Sequence, residues 1–398
     1  MGRIVHFGLG NFARAHLLDY TADAGGWDVV GVSLRSSAIR DGLAAQGFDY
    51  DLCVQGTGVK RITILRDVLV APEDRPAVFD AMAGADIVSA TVTEKGYHLD
   101  ASGVLDLGDP AIVADLAGQG PSTLIGFLAH GLAARSRPLT VMSCDNRVEN
   151  GTVLRAAVAR FADAVGLDIN WDIMCFPNAM VDRITPATTD AVRAISGDPM
   201  AVPTEAFSEW VIEDSFAGPR PDWPSVQIVT DVAPHELRKL RMLNGAHSLL
   251  AYAGLARGHV YVHQAVADPE LRPFVEQLMF DAGQTLPKQV QDQVPAYARA
   301  LIKRFENPEL AHRLDQIAMD GSQKLPYRFI APLRENRSAA VITGVRAWIA
   351  YCMSQSALGR QINDPKAAEI RKATQSSDPA MSLLTLVGAD DLATLIRE

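Results

Sequence analysis

From Glu236 to His247 the chain reads "ELRKLRMLNGAH", which sets a carboxylate, an ammonium, a carboxamide and an imidazole within a dozen residues. On a helical wheel with Glu236 as origin, His247 falls at about +20°, Leu243 at about −20°, Leu240 at about +40°, Lys239 at about −60° and Asn244 at about +80°. The polar groups thus share a side with leucines that a helix would bury. An unperturbed lysine, with a pKa of about 10.4, is protonated at neutral pH. Burial beside Leu240 and Leu243 lowers that value toward a range where the amine can take and return a proton. Such an amine could exchange a proton with a bound hydroxyl, beside a carboxamide able to donate to a developing oxyanion and an imidazole able to hold a neighbouring group. Glu236, one turn earlier, tunes the charge of Lys239, relays protons or binds substrate. The competing reading is a solvated lysine and a core histidine bonded to a carbonyl.

The N-terminus points separately to a dinucleotide. "IVHFGLGNFARAH" reads as a strand, a Gly8-x-Gly10-x-x-Ala13 turn and a helix. Gly8 permits the sharp turn, Gly10 permits close approach of a pyrophosphate, and Ala13 permits close helix–strand packing. Asn11 and Phe12, next in the turn, and Thr93, after a later strand, join the expected cofactor-binding set. The second strand ends in Leu34, Arg35, Ser36 and Ser37, with no acid for a ribose hydroxyl. Arg35 with serines suits the 2′-phosphate of NADP; alternatively, Arg35 stacks on adenine and the cofactor is NAD.

The elements that must position these groups follow from the hydrophobic pattern. "RIVHFG", "DVVGVSL", "ADIVSATV", "STLIGFLA" and "LTVMSCDN" read as strands, with helical stretches between most of them. The expected fold is α/β: a Rossmann-type, mostly parallel sheet domain over 1–195 and a mainly α-helical substrate domain over 196–398, divided at "SGDPMAVPTE". Helices are expected over 233–256, 270–284, 291–305, 309–319, 337–359 and 364–375.

Composition narrows the function classes. The 398 residues are 48% hydrophobic and 21% charged, with a formal net charge of −10 and no basic tract, which argues against a nucleic-acid surface. The longest apolar run is broken by Arg346, so no membrane span is expected. Four separated cysteines form no CxxC pair and point to a reducing cytoplasm. His259 and His263 have the spacing of a metal pair but no third ligand nearby in sequence, so no metal is expected.

Six blocks occur in order: "VTEKGYHLD", "SCDNRVENG", "FPNAMVDRITP", "WVIEDSFAG", "KLRMLNGAHSLLAYAG" and "RFENPEL…DQIAMDGSQKLP". Together they resemble the mannitol dehydrogenase family, the polyol-specific long-chain dehydrogenases and reductases, over nearly the whole chain. The resemblance implies NAD(P)-dependent oxidation of a secondary alcohol without a metal, in a cleft between two domains. It places the family's Lys-x4-Asn-x2-His signature on Lys239, Asn244 and His247, which implies Lys239 as base in oxidation and acid in reduction, Asn244 as donor to the alkoxide-like oxygen and His247 as the group that orients a neighbouring hydroxyl. It also makes Asn146 a second oxyanion donor and Glu94 a carboxylate on the proton path; within these blocks Asp182 reads as a contact for substrate hydroxyls or half of an Asp–Arg pair, and Lys324 as a substrate contact or a surface lysine. Arg183 is expected in an Asp–Arg pair at the domain junction. Gln316 stands where many relatives carry an arginine that holds substrate. The expected pair is D-mannitol and D-fructose. The rival is a sugar-acid pair, D-fructuronate/D-mannonate or tagaturonate/altronate, with Lys324, Arg328 and Arg334 as candidate carboxylate cations. A non-catalytic NAD(P)-binding sensor would have lost the Lys/Asn/His set. The resemblance leaves the oligomeric state open, with a monomer among the options.

Overall fold

A computed structural model describes residues 1–118 and 120–397. In it the alternating apolar runs of the first half build one six-stranded sheet. Its strands are β1 (Gly2–Phe7), β2 (Trp27–Ser33), β3 (Leu65–Val70), β4 (Ile87–Ala90), β5 (Leu139–Ser143) and β6 (Met174–Cys175). They lie in the order β3-β2-β1-β4-β5-β6, parallel throughout, which is the doubly wound dinucleotide-binding order. The order reverses between β1 and β4, where ligands bind in such sheets.

The strands are apolar on both faces because both are covered. Ile4, Val29 and Ile87 pack with Leu17, Leu18, Trp210 and Trp223. Val5, Phe7, Val30, Val32 and Val88 point the other way, toward Phe127, Leu154 and Phe161.

One expectation for this half needs correction, and one strand lay outside the expected set. "STLIGFLA" is not a strand but the start of a helix, Leu124–Ala133. Thr123 caps it by accepting from the Gly126 N–H at 3.0 Å, and the Asp115 carboxylate holds the amides and hydroxyls of Ser122 and Thr123. A helix buried on nearly every side reads like a buried strand in sequence. Conversely, β3 hides in "LRDVLV", where Arg66 and Asp67 interrupt the apolar pattern.

The chain divides into Met1–Ala233 and the residues from Pro234 onward, not at 195/196. Residues 196–233 belong to the first unit because backbone ladders hold them there. Val202–Thr204 pairs with Tyr50–Val54, and Glu209–Glu213 pairs with Ala179–Asp182 and Gln227–Val229. Within "SGDPMAVPTE", the buried Asp198 carboxylate accepts from the Asp51 and Met200 amides.

The second unit is helical. Ala233–Arg238 begins in line with Lys239–Asn244 and Gly245–Ala256. Gly245–Ala256 then packs against Val262–Ala267, Arg272–Gly283, Leu314–Ile317 and Ala339–Ala357. Val294–Phe305 and Ala367–Thr374 also match the expected helices. The stretch 309–319 does not run through: Ala311 is left-handed at φ 43°, separating a short turn, Pro308–Leu310, from Leu314–Ile317. Among the described residues no helix is long and apolar enough to cross a membrane. All four cysteines are free thiols.

Candidate active-site residues

In the first unit the turn after β1 is set by sterics. Gly8 has φ +84°, and a Cβ there would lie 2.0 Å from the Thr91 carbonyl oxygen. Only glycine fits. Its N–H donates to Val32 O at 2.9 Å, tying the turn to β2. A Cβ at Gly10 would meet only Gly8 O, at 4.0 Å, so the backbone there is open to a ligand. That opening suits the pyrophosphate of a dinucleotide. Asn11 is occupied structurally: its amide donates to Pro186 O and Thr188 Oγ1 and accepts from Arg14. Phe12 stacks on His16 with ring centres 4.9 Å apart. Arg35 is exposed just past β2 and has no side-chain partner among the described residues.

Thr93 and Glu94 lie exposed after β4, and Asn146 lies exposed after β5. A buried network ties these two loops together. The Tyr97 hydroxyl donates to Asp145 Oδ2 at 2.7 Å and lies 2.6 Å from Ser143 Oγ, while the Val92 N–H donates to Asp145 Oδ1 at 2.8 Å. Burial pushes the Asp145 carboxyl up to about 7 against the pull of these hydrogen bonds. Burial and the neighbouring carboxylate raise the Tyr97 phenol as well. Asn150 Nδ2 donates to the carbonyls of Ser143, Asp145 and Ala179, fixing the start of the Asn146 loop. Sequence reasoning missed Asp145 and Tyr97, although both stand inside the blocks that supplied Asn146 and Glu94.

Asp182 is buried at the end of Ala179–Asp182. The expected role of Arg183 is corrected. Its guanidinium pairs with Asp19 at 2.5 Å and also donates to the carbonyls of Ala15 and Glu205. The partners that hold it thus lie within the first unit, and its carboxylate is Asp19 rather than the adjacent Asp182.

In the second unit the Lys–Asn–His signature sits on a helix that changes winding. Lys239–Asn244 is a π turn: the Gly245 N–H bonds to Leu240 O, five residues back. The wheel drawn with α spacing therefore fails across this stretch. Glu236, Lys239, Leu243 and His247 are buried, and Leu240 and Asn244 are half-buried. The His247 ring centre lies 4.7 Å from Phe305 and 5.1 Å from His312. Burial, and then the charges of His312, Arg304 and Arg328, hold its pKa well below the ordinary imidazole value. At neutral pH His247 is an uncharged ring that can donate or accept.

The Lys324 ammonium donates to Met319 O at 2.6 Å and Ile317 O at 3.3 Å, and Gln316 is exposed beside that turn. Arg328 donates to Asn244 O and Ser248 Oγ. Arg334 is withdrawn as a candidate cation, because it is exposed and pairs with Asp391 at 2.8 Å. His259 pairs with Asp268, and His263 stacks on Tyr261. Among the described residues no group of three or more His, Cys, Asp or Glu side chains comes together to hold a metal.

Two family descriptions match in tandem: the mannitol dehydrogenase Rossmann domain over residues 2–225 and the mannitol dehydrogenase C-terminal domain over residues 231–392. The chain is 39% identical to D-mannonate oxidoreductase of Escherichia coli (strain K12), over 98% of this chain and 89% of that protein. It is 36% identical to mannitol 2-dehydrogenase of Phaeosphaeria nodorum, over 97% of this chain and 76% of that protein. Among solved structures, a substrate-free D-sorbitol dehydrogenase superposes with a TM-score of 0.87 at 30% identity, covering 99% of this chain and 91% of that one. The Pseudomonas fluorescens mannitol 2-dehydrogenase ternary complex with NAD and D-mannitol superposes with a TM-score of 0.80 at 30% identity, covering 100% and 94%. The chain belongs to the mannitol dehydrogenase family of oxidoreductases.

Proposed function

We propose that this protein is an NAD-dependent oxidoreductase that interconverts a secondary alcohol of a polyhydroxylated substrate with the corresponding ketone, without a metal. The observation that carries the reading is the placement of Lys239 and His247, both buried, with half-buried Asn244, on one rewound helix. NAD supplies the hydride acceptor in oxidation and the donor in reduction. Gly10 receives its pyrophosphate at the turn that Gly8 permits, and the backbone of Asn11 and Phe12, with Arg35 and Thr93, completes the contacts. Lys239 takes the hydroxyl proton in oxidation and returns it in reduction. Asn244 and Asn146 donate to the oxygen as its charge develops. His247, neutral at working pH, orients an adjacent hydroxyl. Glu94 and Glu236 carry protons to and from Lys239, and Asp182 and Lys324 hold the rest of the substrate.

The charges that bear on His247 bring a second substrate reading forward. Burial holds the His312 ring below its ordinary pKa, so it is uncharged at neutral pH, and Arg328 is committed to Asn244 O and Ser248 Oγ, which leaves the buried Arg304 as the cation of this set able to meet a carboxylate. On this second reading the substrate is a sugar acid of the D-mannonate/D-fructuronate kind rather than the neutral pair D-mannitol/D-fructose. Arg35 can meet a 2′-phosphate, which makes NADP the cofactor to compare with NAD.

The test is a panel of mannitol, arabinitol, mannonate and altronate, each with NAD and NADP, followed by the near-ultraviolet absorbance of the reduced nicotinamide. Turnover is expected, fastest with a sugar acid. Turnover of mannitol alone would reject the sugar-acid reading, and turnover of none would reject the oxidoreductase reading.

A further inference from the structure

The second unit contains another π turn besides Lys239–Asn244, and one arginine joins the two. Pro326–Ile330 is the second turn, with the Ala331 N–H bonded to Pro326 O five residues back. Its cause is local. Pro326 has no N–H to return to the Ser322 carbonyl, and its ring crowds that carbonyl, so α winding cannot continue.

Arg328 lies within this second turn and reaches the first. Its Nη1 donates to Asn244 O at 3.2 Å and to Ser248 Oγ at 2.9 Å. The backbones come close where the first turn ends: a Cβ at Gly245 would lie 3.4 Å from Leu278 Cδ2 and 3.6 Å from Arg328 O. The neighbouring Phe329 is seated against Gly344, where a Cβ would lie 2.8 Å from its ring. Arginines set into a protein, as half-buried Arg328 is, are usually matched to carboxylates. The hydrogen bonds of this one go instead to a carbonyl and a hydroxyl. Burial draws its pKa down to about 10, so it stays charged at neutral pH.

We propose that Arg328 is a positioning residue that clamps the Lys239–Asn244 π turn in its register and thereby keeps Asn244 and His247 in place. The clamp rests on the reading of Lys239, Asn244 and His247 as the reacting set, and it acts through them rather than on substrate.

The test pairs amide hydrogen exchange with steady-state kinetics on the full chain. Arg328→Met removes both bonds but keeps the aliphatic stem, while Arg328→Lys keeps the charge and can reach one acceptor. In Arg328→Met, exchange over 240–248 is expected to rise by about tenfold ahead of the rest of the unit. The kcat is expected to fall by about tenfold with KM changed less than about twofold, as for a group that matters mainly in the transition state. Arg328→Lys should recover part of both effects. Unchanged exchange over 240–248 would overturn the clamp. So would exchange that rises equally across the unit with a lowered unfolding midpoint, which marks a merely structural role. If Arg328→Met does not fold, Ser248→Ala removes one acceptor and is read by the same local exchange: faster exchange supports the clamp and unchanged exchange overturns it. If the parent protein turns over no substrate while local exchange responds as expected, the reaction assignment fails and the clamp stands.

Discussion

At the end of β1 the backbone turns because an atom is missing. A Cβ on Gly8 would run into the Thr91 carbonyl, so residue type dictates shape directly. At Lys239–Asn244 nothing is missing. There an ordinary run of helix formers takes a π register between two α segments, and the register is supported from outside by packing and by Arg328. The first device is local and legible in a single sequence. The second is tertiary, because neighbouring elements decide which way its side chains face. In the proposed function, the first device makes room for the cofactor and the second places the groups that act on substrate.

The largest effect expected on that contrast is in the tertiary device. Lys239→Ala should lower kcat by about 10²–10⁴-fold, the usual worth of a positioned acid–base group, while NAD binding persists in titrations. Next comes Asn244→Ala, with a loss of about 10²-fold in kcat and a smaller change in KM, as for an oxyanion donor. The glycine turn should fail differently at its two positions. Gly8→Ala forces an unfavourable φ costing about 1–3 kcal/mol, in addition to its clash, and should show as a lower unfolding midpoint. Gly10→Ala meets open space in the protein, so stability should hold within about 0.5 kcal/mol. The Kd for NAD should nevertheless rise about tenfold, a loss of about 1.4 kcal/mol. Equal effects of the two substitutions on stability would remove the distinction between a steric glycine and a ligand-facing one.

A pH-dependent effect concerns the loops of Glu94 and Asn146. The native Asp145 carboxyl titrates at about 7, above its unfolded value near 3.8. Between those values the native state binds the extra proton, so this group's contribution to stability falls as pH rises through that window. Asp145→Asn retains a side-chain oxygen for the Val92 amide and does not titrate. Its unfolding free energy relative to the parent should therefore rise steadily from about pH 4 to pH 7. A difference that stays flat with pH would show that Asp145 titrates normally.

The readable and unreadable parts of the molecule follow from the same contrast. β1, β2, β4 and β5 were legible because sheets covered on both faces give unbroken apolar runs. β3 was not, because Arg66 and Asp67 interrupt its run, and the helix at Leu124 was taken for a strand because burial erased its polar face. The unit boundary was misplaced because the pairing of Val202–Thr204 with Tyr50–Val54 spans about 150 residues of chain, a separation no local pattern records. The Lys239, Asn244 and His247 set could be proposed from residue types and from the resemblance that the ordered blocks carry. Its winding was not, because π register depends on the second turn at Pro326–Ile330 and on Arg328. Arg183 was misassigned for a related reason: its carboxylate partner is Asp19, far away in sequence, and not the adjacent Asp182.

The claim at the centre of this account is that the Lys239 amine moves the proton of the alcohol. It is tested most directly by adding a small primary amine such as methylamine to Lys239→Ala, with saturating NAD and the best substrate of the panel. The account predicts a nearly inactive variant whose rate climbs with the concentration of unprotonated amine. A variant with full activity, or a crippled one indifferent to added amine, would contradict it.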